Sequence, residues 1–207
     1  MSEWAASAAR TQRSAHQQQP TNLDGLYETA MRLQREGELD AALDAYSQVI
    51  LADDEFGEAY YGRASVYYAL GNCDQAINDC NRAIELRRYF GEAHLIRGAA
   101  YWGKAAECDP DDPLLPGYCE QVISDCTFVL DRQPRAALAY FNRGLAYWAL
   151  RNKPMAKHDL ENAVALSHNV QWRAEAEAWL EELRKPRLLS RYEPDGWHHI
   201  CGRLDRE

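Results

Sequence analysis

The feature that most constrains this chain is an internal register of 34 residues, in which segment 57–90 repeats the pattern of segment 23–56. Aligned this way, Ala30 falls with Ala64, Gly37 with Gly71, Ala42 with Ala76, Val49 with Ala83 and Ile50 with Ile84. Gly91 opens a third unit, in which Gly98 takes the place of Ala64. Ala137 opens a fourth, in which Gly144, Tyr147, Ala156 and Ala163 fall in place. A fixed period of this size marks a chain of stacked supersecondary units, because one such unit cannot bury its own apolar face.

Each unit reads as two helices. In the second, GEAYYGRASVYYAL precedes a GN turn and CDQAINDCNRAIELR follows it. Apolar residues recur three and four apart, the helical period. Small residues at the eighth and twentieth places (Ala64 with Ala76, Gly144 with Ala156) let the two backbones approach, while Tyr67, Tyr147, Ile77 and Ile84 fill the space around them. The third unit is longer by 12 residues, and the extra length falls at about 105–116. Its acidic, proline-broken CDPDDPLLPG predicts an exposed loop between helices. After the fourth unit, Ala174, Ala178, Trp179 and Leu183 supply a packing face and Glu175, Glu177, Glu181 and Glu182 a wet one, which predicts a capping helix stopped by Pro186.

Composition narrows the function. With 32 acidic and 23 basic residues the formal charge is -9, which works against nucleic acid and anionic membrane surfaces. No apolar leader region and no run of about 18 apolar residues occurs, so neither export nor membrane insertion is expected and the cytoplasm is the default location. The six cysteines then read as reduced thiols. Residues 1–22 are poor in apolar side chains and read as a flexible arm. The tail 186–207 contains WHHIC, in which His198, His199 and Cys201 are metal-ligating types, but neighbours in sequence rarely complete a site, and a disordered or docked tail is the favoured reading.

The series resembles tetratricopeptide repeats over about 23–166, and the runs AYYGRASVYYALGN and AYFNRGLAYWALRN are similar to prokaryotic members. The resemblance implies an all-α fold: a right-handed α-solenoid of four helix-turn-helix repeats (23–56, 57–90, 91–136 and 137–169) plus a C-terminal capping helix (170–185). The proline that commonly closes a repeat of this family appears only as Pro134. Asp54 and Arg88 hold the equivalent places, so those boundaries are expected to be helical or less sharply turned.

The resemblance also implies that first helices line a concave groove, through the second, fifth, ninth and twelfth residues of each unit. These are Asp24, Tyr27, Met31 and Gln34; Glu58, Tyr61, Ser65 and Tyr68; Glu92, Leu95, Ala99 and Trp102; Leu138, Phe141, Leu145 and Trp148. Some must pack between units, but the collective excess of aromatics with an acidic rim suits an apolar or amphipathic segment with Lys or Arg facing Glu58 and Glu92. The carboxylate clamp of chaperone adaptors, built from Lys, Asn and Arg, is missing. Its candidate places hold Tyr27, Met31, Gly62, Glu92 and Ile96, or one unit on, Tyr61, Ser65, Ile96, Leu138 and Asn142. A chaperone C-terminus is therefore not the expected ligand.

Two internal patterns read as structural. Arg63, Arg97 and Arg143 share the seventh place of their units, and Asp79, Asp125 and Asp159 the twenty-third, whereas the first unit has Thr29 and Ala45 there. Loss of both partners together points to Arg–Asp ion pairs tying helices within or between units. Cys73 and Cys80 match Cys119 and Cys126; the spacing fits neither redox nor zinc motifs, and Cys80 and Cys126 occupy the place of Tyr46 and Leu160, so they read as small buried hydrophobes rather than metal ligands. His16, His94, His158 and His168 have no evident partners. Without a nucleophile, phosphate loop or metal motif, the chain is expected to be no enzyme and to need no cofactor. The leading expectation is a protein-binding scaffold or adaptor, and the alternative a dedicated regulatory or assembly subunit of an enzyme or membrane complex. The oligomeric state is left open by the sequence.

Overall fold

The backbone turn inside a hairpin needs a residue with left-handed φ, and three units supply it at the same place: Gly37 (φ 83°), Gly71 (φ 78°) and Arg151 (φ 62°). At each, the next amide closes the preceding helix, as Glu38 N to Leu33 O (3.0 Å), Asn72 N to Tyr67 O (2.8 Å) and Asn152 N to Tyr147 O (2.8 Å). This is the glycine-type helix stop, which Arg151 adopts at a cost of about 1–2 kcal/mol because its Cβ crowds the carbonyl. In the computed structural model, which describes residues 23–86 and 90–184, these turns separate α1 (Leu23–Glu36) from α2 (Leu39–Ala52), α3 (Gly57–Ala69) from α4 (Cys73–Leu86), and α7 (Ala137–Ala149) from α8 (Lys153–Leu166). The third pair is α5 (Gly91–Ala106) and α6 (Leu115–Leu130), and α9 (Val170–Arg184) follows the last.

Each helix packs on the next in chain order, so hairpins stack into an all-α solenoid. Successive first helices (α1, α3, α5, α7) also approach one another, whereas the second helices make their substantial contacts with first helices. The first helices therefore form one continuous layer of the stack, the layer expected to line the concave side.

Small residues set how closely helices approach. Ala30, Ala42, Ala64, Ala76 and Ala156 are completely buried. A Cβ placed on Gly144 would stand 3.0 Å from Leu160 Cγ, and one on Gly98 3.7 Å from Cys126 Sγ. The tightest approach joins the first two units: a Cβ on Gly62 would come within 2.4 Å of the Tyr46 ring. Tyr46 lies over this glycine and donates from its hydroxyl to Gln34 Oε1 (2.7 Å), whose amide donates to Ser65 Oγ (3.1 Å). In later units the large partner shrinks and the glycine grows: Cys80 is buried in one cluster with Ile96, and Asn142 follows Cys126. The pair of places conserves volume, not residue type.

The structure departs from two of the sequence expectations. The extra length of the third unit is not wholly loop, because α5 runs through Ala105 and Ala106 and α6 begins at Leu115, with Pro116 in its first turn. Ala105 and Leu115 are buried in the core, and proline at a helix start forfeits no internal hydrogen bond. The boundary at Asp54 is a sharp break although it lacks proline. Asp53 is extended (φ -148°, ψ 105°), and its side-chain Oδ1 accepts from the Glu55 amide at 3.0 Å. Arg88, residues 1–22 and 185–207, including His16, Pro186, His198, His199 and Cys201, lie outside the described residues. Among the described residues no helix is long and apolar enough to cross a membrane.

Gly62→Ala is expected to lower stability by about 1–3 kcal/mol through overpacking against Tyr46. Adding Tyr46→Cys, which copies the later units, should make the double variant less destabilised than the sum of the single changes. Urea unfolding of the four proteins in this cycle measures the coupling; strict additivity would show that the two side chains do not meet.

Candidate interaction surface and its supporting contacts

A guanidinium joins three helices at each of three interfaces between hairpins. Arg63 donates from Nε to Asp79 Oδ2 (2.7 Å) and from Nη2 to Asp79 Oδ1 (2.9 Å). Arg97 holds Asp125 in the same way (2.9 and 2.6 Å), as Arg143 does Asp159 (2.7 and 3.0 Å). Each pair ties the two helices of one hairpin in bidentate geometry. The remaining nitrogen reaches back to the preceding hairpin: Nη1 donates to Ser47 Oγ (3.0 Å), Asn81 Oδ1 (2.6 Å) and Thr127 Oγ1 (3.0 Å) in turn. The three polar residues share the twenty-fifth place of their units, so each clasp belongs to an interface rather than to a unit. The first unit, with Thr29 and Ala45, accordingly retains Ser47 for its successor.

The carboxylates are buried, with Asp159 at 0% exposure. The hydrogen bonds it donates to Asp79 raise Arg63 above the ordinary guanidinium value, and those donated to Asp159 raise Arg143; at Arg97 burial pulls the value down, and the hydrogen bond to Asp125 and the charge of that carboxylate more than offset it. Tyr60 and Tyr140 lie 5.8 and 5.7 Å from the Arg63 and Arg143 guanidinium carbons, adding cation–π contact.

In the third unit His94 stands where the second and fourth have Tyr60 and Tyr140. It is not isolated: Nδ1 lies 2.7 Å from Asp125 Oδ1, and the ring stacks on Phe128 at 3.9 Å between centroids. The partner is 31 residues away and across a hairpin, where a search along one helix does not reach. His158 Nε2 lies 3.2 Å from Asn162 Nδ2.

The thiols follow burial. Cys80 and Cys126 are completely buried, and desolvation pushes both well above the ordinary thiol value; Cys119 is pushed up to about 12 by the same cause. A thiol held protonated is a poor nucleophile and a poor ligand. Among the described residues, no group of three or more His, Cys, Asp and Glu side chains is arranged to hold a metal.

The residues of the concave stripe divide by depth. Ser65, Tyr68, Trp102, Phe141 and Leu145 are buried, with Leu145 at 0% exposure. Tyr68 belongs to the cluster around Ala64 and Cys80, and Trp102, Phe141 and Leu145 to the large core of the last two units. Tyr27, Glu58, Tyr61, Leu95, Leu138 and Trp148 are half-buried, while Asp24, Glu92 and Met31, the last at 39% exposure, reach solvent. The Tyr27 and Tyr61 rings are propped by Phe56 (5.1 Å) and Phe90 (4.8 Å), which end the first two units. Trp148 meets Trp179 of α9 edge to face at 4.8 Å. The recurrence of Phe56 and Phe90 at the repeat spacing was a signal for those props; the shared polar type of Ser47, Asn81 and Thr127 was a fainter one.

Known proteins share this architecture. Family models described as tetratricopeptide repeat match residues 57–90 and 137–170. A protein SGT1 homolog of Oryza sativa subsp. japonica is 38% identical over 63 residues, 30% of this chain and 17% of that protein. The DnaJ homolog subfamily C member 3 of Rattus norvegicus is 35% identical over 86 residues, 41% of this chain and again 17% of the relative. The chain thus spans less than a fifth of these relatives. Among solved structures, a thermophilic TPR protein of Thermus thermophilus superposes with a TM-score of 0.64 at 24% identity, covering 78% of this chain and 80% of that one. The first TPR of Spaghetti (RPAP3), bound to the HSP90 peptide SRMEEVD, does so with a TM-score of 0.56 at 26% identity, covering 64% and 96%.

Arg143→Ala strands the Asp159 carboxylate in the core and is expected to cost about 3–5 kcal/mol. Thr127→Val removes only the reach to the preceding hairpin and should cost about 1 kcal/mol. Equal losses in chemical denaturation would mean that the carboxylate pair is not the dominant contact.

Proposed function

Because the chain is a tetratricopeptide repeat protein, we propose that it is an interaction scaffold whose concave face takes an apolar or amphipathic segment of a protein partner, with basic residues along one side of that segment. The observation that carries this reading is a juxtaposition on the inner helices. Met31, Tyr27, Tyr61, Leu95 and Leu138 offer apolar surface at helical intervals, and Asp24, Glu58 and Glu92 repeat a carboxylate at the second place of three consecutive units. Apolar area supplies affinity without direction, and the carboxylate row sets polarity and attracts bases.

The neighbour bound to SRMEEVD shows that a fold of this kind holds a short acidic peptide. The present face carries carboxylates and no Lys or Arg in its stripe, which argues for the opposite charge in the ligand. The half-buried aromatics propped by Phe56 and Phe90 support preorganised anchors, since an aromatic ring held in place loses little entropy on binding. The non-catalytic reading is supported by the burial that favours the protonated Cys80 thiol and by the structural engagement of His94.

Fluorescence anisotropy with a synthetic amphipathic Lys/Leu peptide tests the reading. Glu58→Lys with Glu92→Lys should weaken binding about tenfold or more, with most of the loss in the association rate and removed by high salt. Tyr61→Ala should cost more than about 1 kcal/mol independently of salt. Tighter binding of SRMEEVD than of the Lys/Leu peptide would refute the proposed polarity.

A further inference from the structure

The 34-residue period does not stop at the fourth hairpin. Counted on from Ala137, a fifth unit opens at Gln171, and α9 takes the place of its first helix. Its packing follows that of a first helix. Ala176, at the sixth place, is 1% exposed, and Gly62, Ile96 and Asn142 are buried at the same place of their units. α9 also packs on α8, as α3, α5 and α7 each pack on the second helix before them. The third place differs: Arg173 stands where Ala59, Ala93 and Ala139 are buried, and its guanidinium donates to Ser167 O (2.6 Å) at the end of α8. Asn169 Oδ1 accepts from the amides of Gln171 (2.9 Å) and Trp172 (3.2 Å), which fixes the start of α9.

The same count puts Trp172, Glu175, Trp179 and Glu182 at the second, fifth, ninth and twelfth places, those of the stripe. All four are half-buried, whereas Glu177 and Glu181 on the same helix are exposed. One contact shows the register directly: Trp179 meets Trp148, the last stripe residue of α7, edge to face with ring centroids 4.8 Å apart. The layer of first helices is thus longer by one member. Charge along it is uneven. α1, α3 and α5 carry Asp24, Glu58 and Glu92 in the stripe, α7 carries no charge there, and α9 carries two carboxylates beside two tryptophans and no base.

We propose that α9 is the fifth helix of the partner-binding face, and that this face selects a protein segment with basic groups at two places and apolar residues between them. One basic group lies over Glu92, the other over Glu175 and Glu182, and the apolar stretch crosses Leu138 and Trp148 of α7. The two places are separated by two interhelical steps of roughly 10 Å each. The number of residues between the bases then follows from the ligand's conformation, about six if extended and about 13 if helical. The proposal rests on the reading of the first-helix face as a partner site and adds the two-ended basic pattern that the partner carries.

The test is binding of the Lys/Leu peptide to full-chain variants by fluorescence anisotropy at low salt. Glu175→Gln with Glu182→Gln is expected to weaken binding about fivefold or more, whereas Glu177→Gln with Glu181→Gln, the same change of charge on the exposed side of α9, leaves it within about twofold. Equal losses from the two pairs, or no loss from either, overturn the proposal. As a second readout, the peptide carries benzophenone at one end or the other and is photo-cross-linked to the unsubstituted chain. Adducts on α9 from one end and on α5 or α3 from the other are expected. Adducts confined to α1, α3 and α5 overturn the role of α9 and leave the reading of the face intact. A peptide that does not bind the unsubstituted chain at all overturns both.

Discussion

Three helices meet on one guanidinium at each of three interfaces of this solenoid, and the register of the hairpins depends on that contact. Apolar burial drives the stacking of hairpins, but it is non-directional, and faces rich in alanine and cysteine could slide with little loss. The buried carboxylates of Asp79, Asp125 and Asp159 cannot slide. Shifted by one turn, each would sit in the core without its arginine, at a cost of about 3–5 kcal/mol. Because the same arginine also reaches Ser47, Asn81 or Thr127 of the preceding hairpin, the contact sets the register between units as well as within them.

That register is what turns a repeated sequence into a surface. Once hairpins are locked in phase, the second and fifth places of successive first helices align, and Asp24, Glu58 and Glu92 become a row beside Tyr27, Tyr61 and Leu95. The deeper places of the same helices, Tyr68, Trp102, Phe141 and Leu145, go to the core that supports the row. Scaffold and candidate binding face are thus two depths of one helical layer.

Much of this was legible in the residues. The period, the small residues at Ala64, Ala76, Gly144 and Ala156, and the joint absence of Arg and Asp from the first unit led to the hairpins and the ion pairs. Other parts were hidden for identifiable reasons. The turn at Arg151 adopts a glycine conformation without a glycine, and the break at Asp53 is made by an aspartate turn in place of a proline. The His94–Asp125 contact has no counterpart in the other units, which hold Tyr60 and Tyr140 at the place of His94, so no repetition announced it. Depth within the concave stripe was also unreadable, because Tyr61 and Tyr68 are the same residue type on one helix and differ only in what the neighbouring hairpins bring over them.

Hydrogen exchange of the full chain with and without the Lys/Leu peptide, resolved by helix, locates the binding face directly. Added protection is expected on α1, α3 and α5, with α2, α4, α6 and α8 unchanged. Protection centred on the second helices, or spread evenly over the solenoid, would contradict the assignment of the concave face as the binding surface.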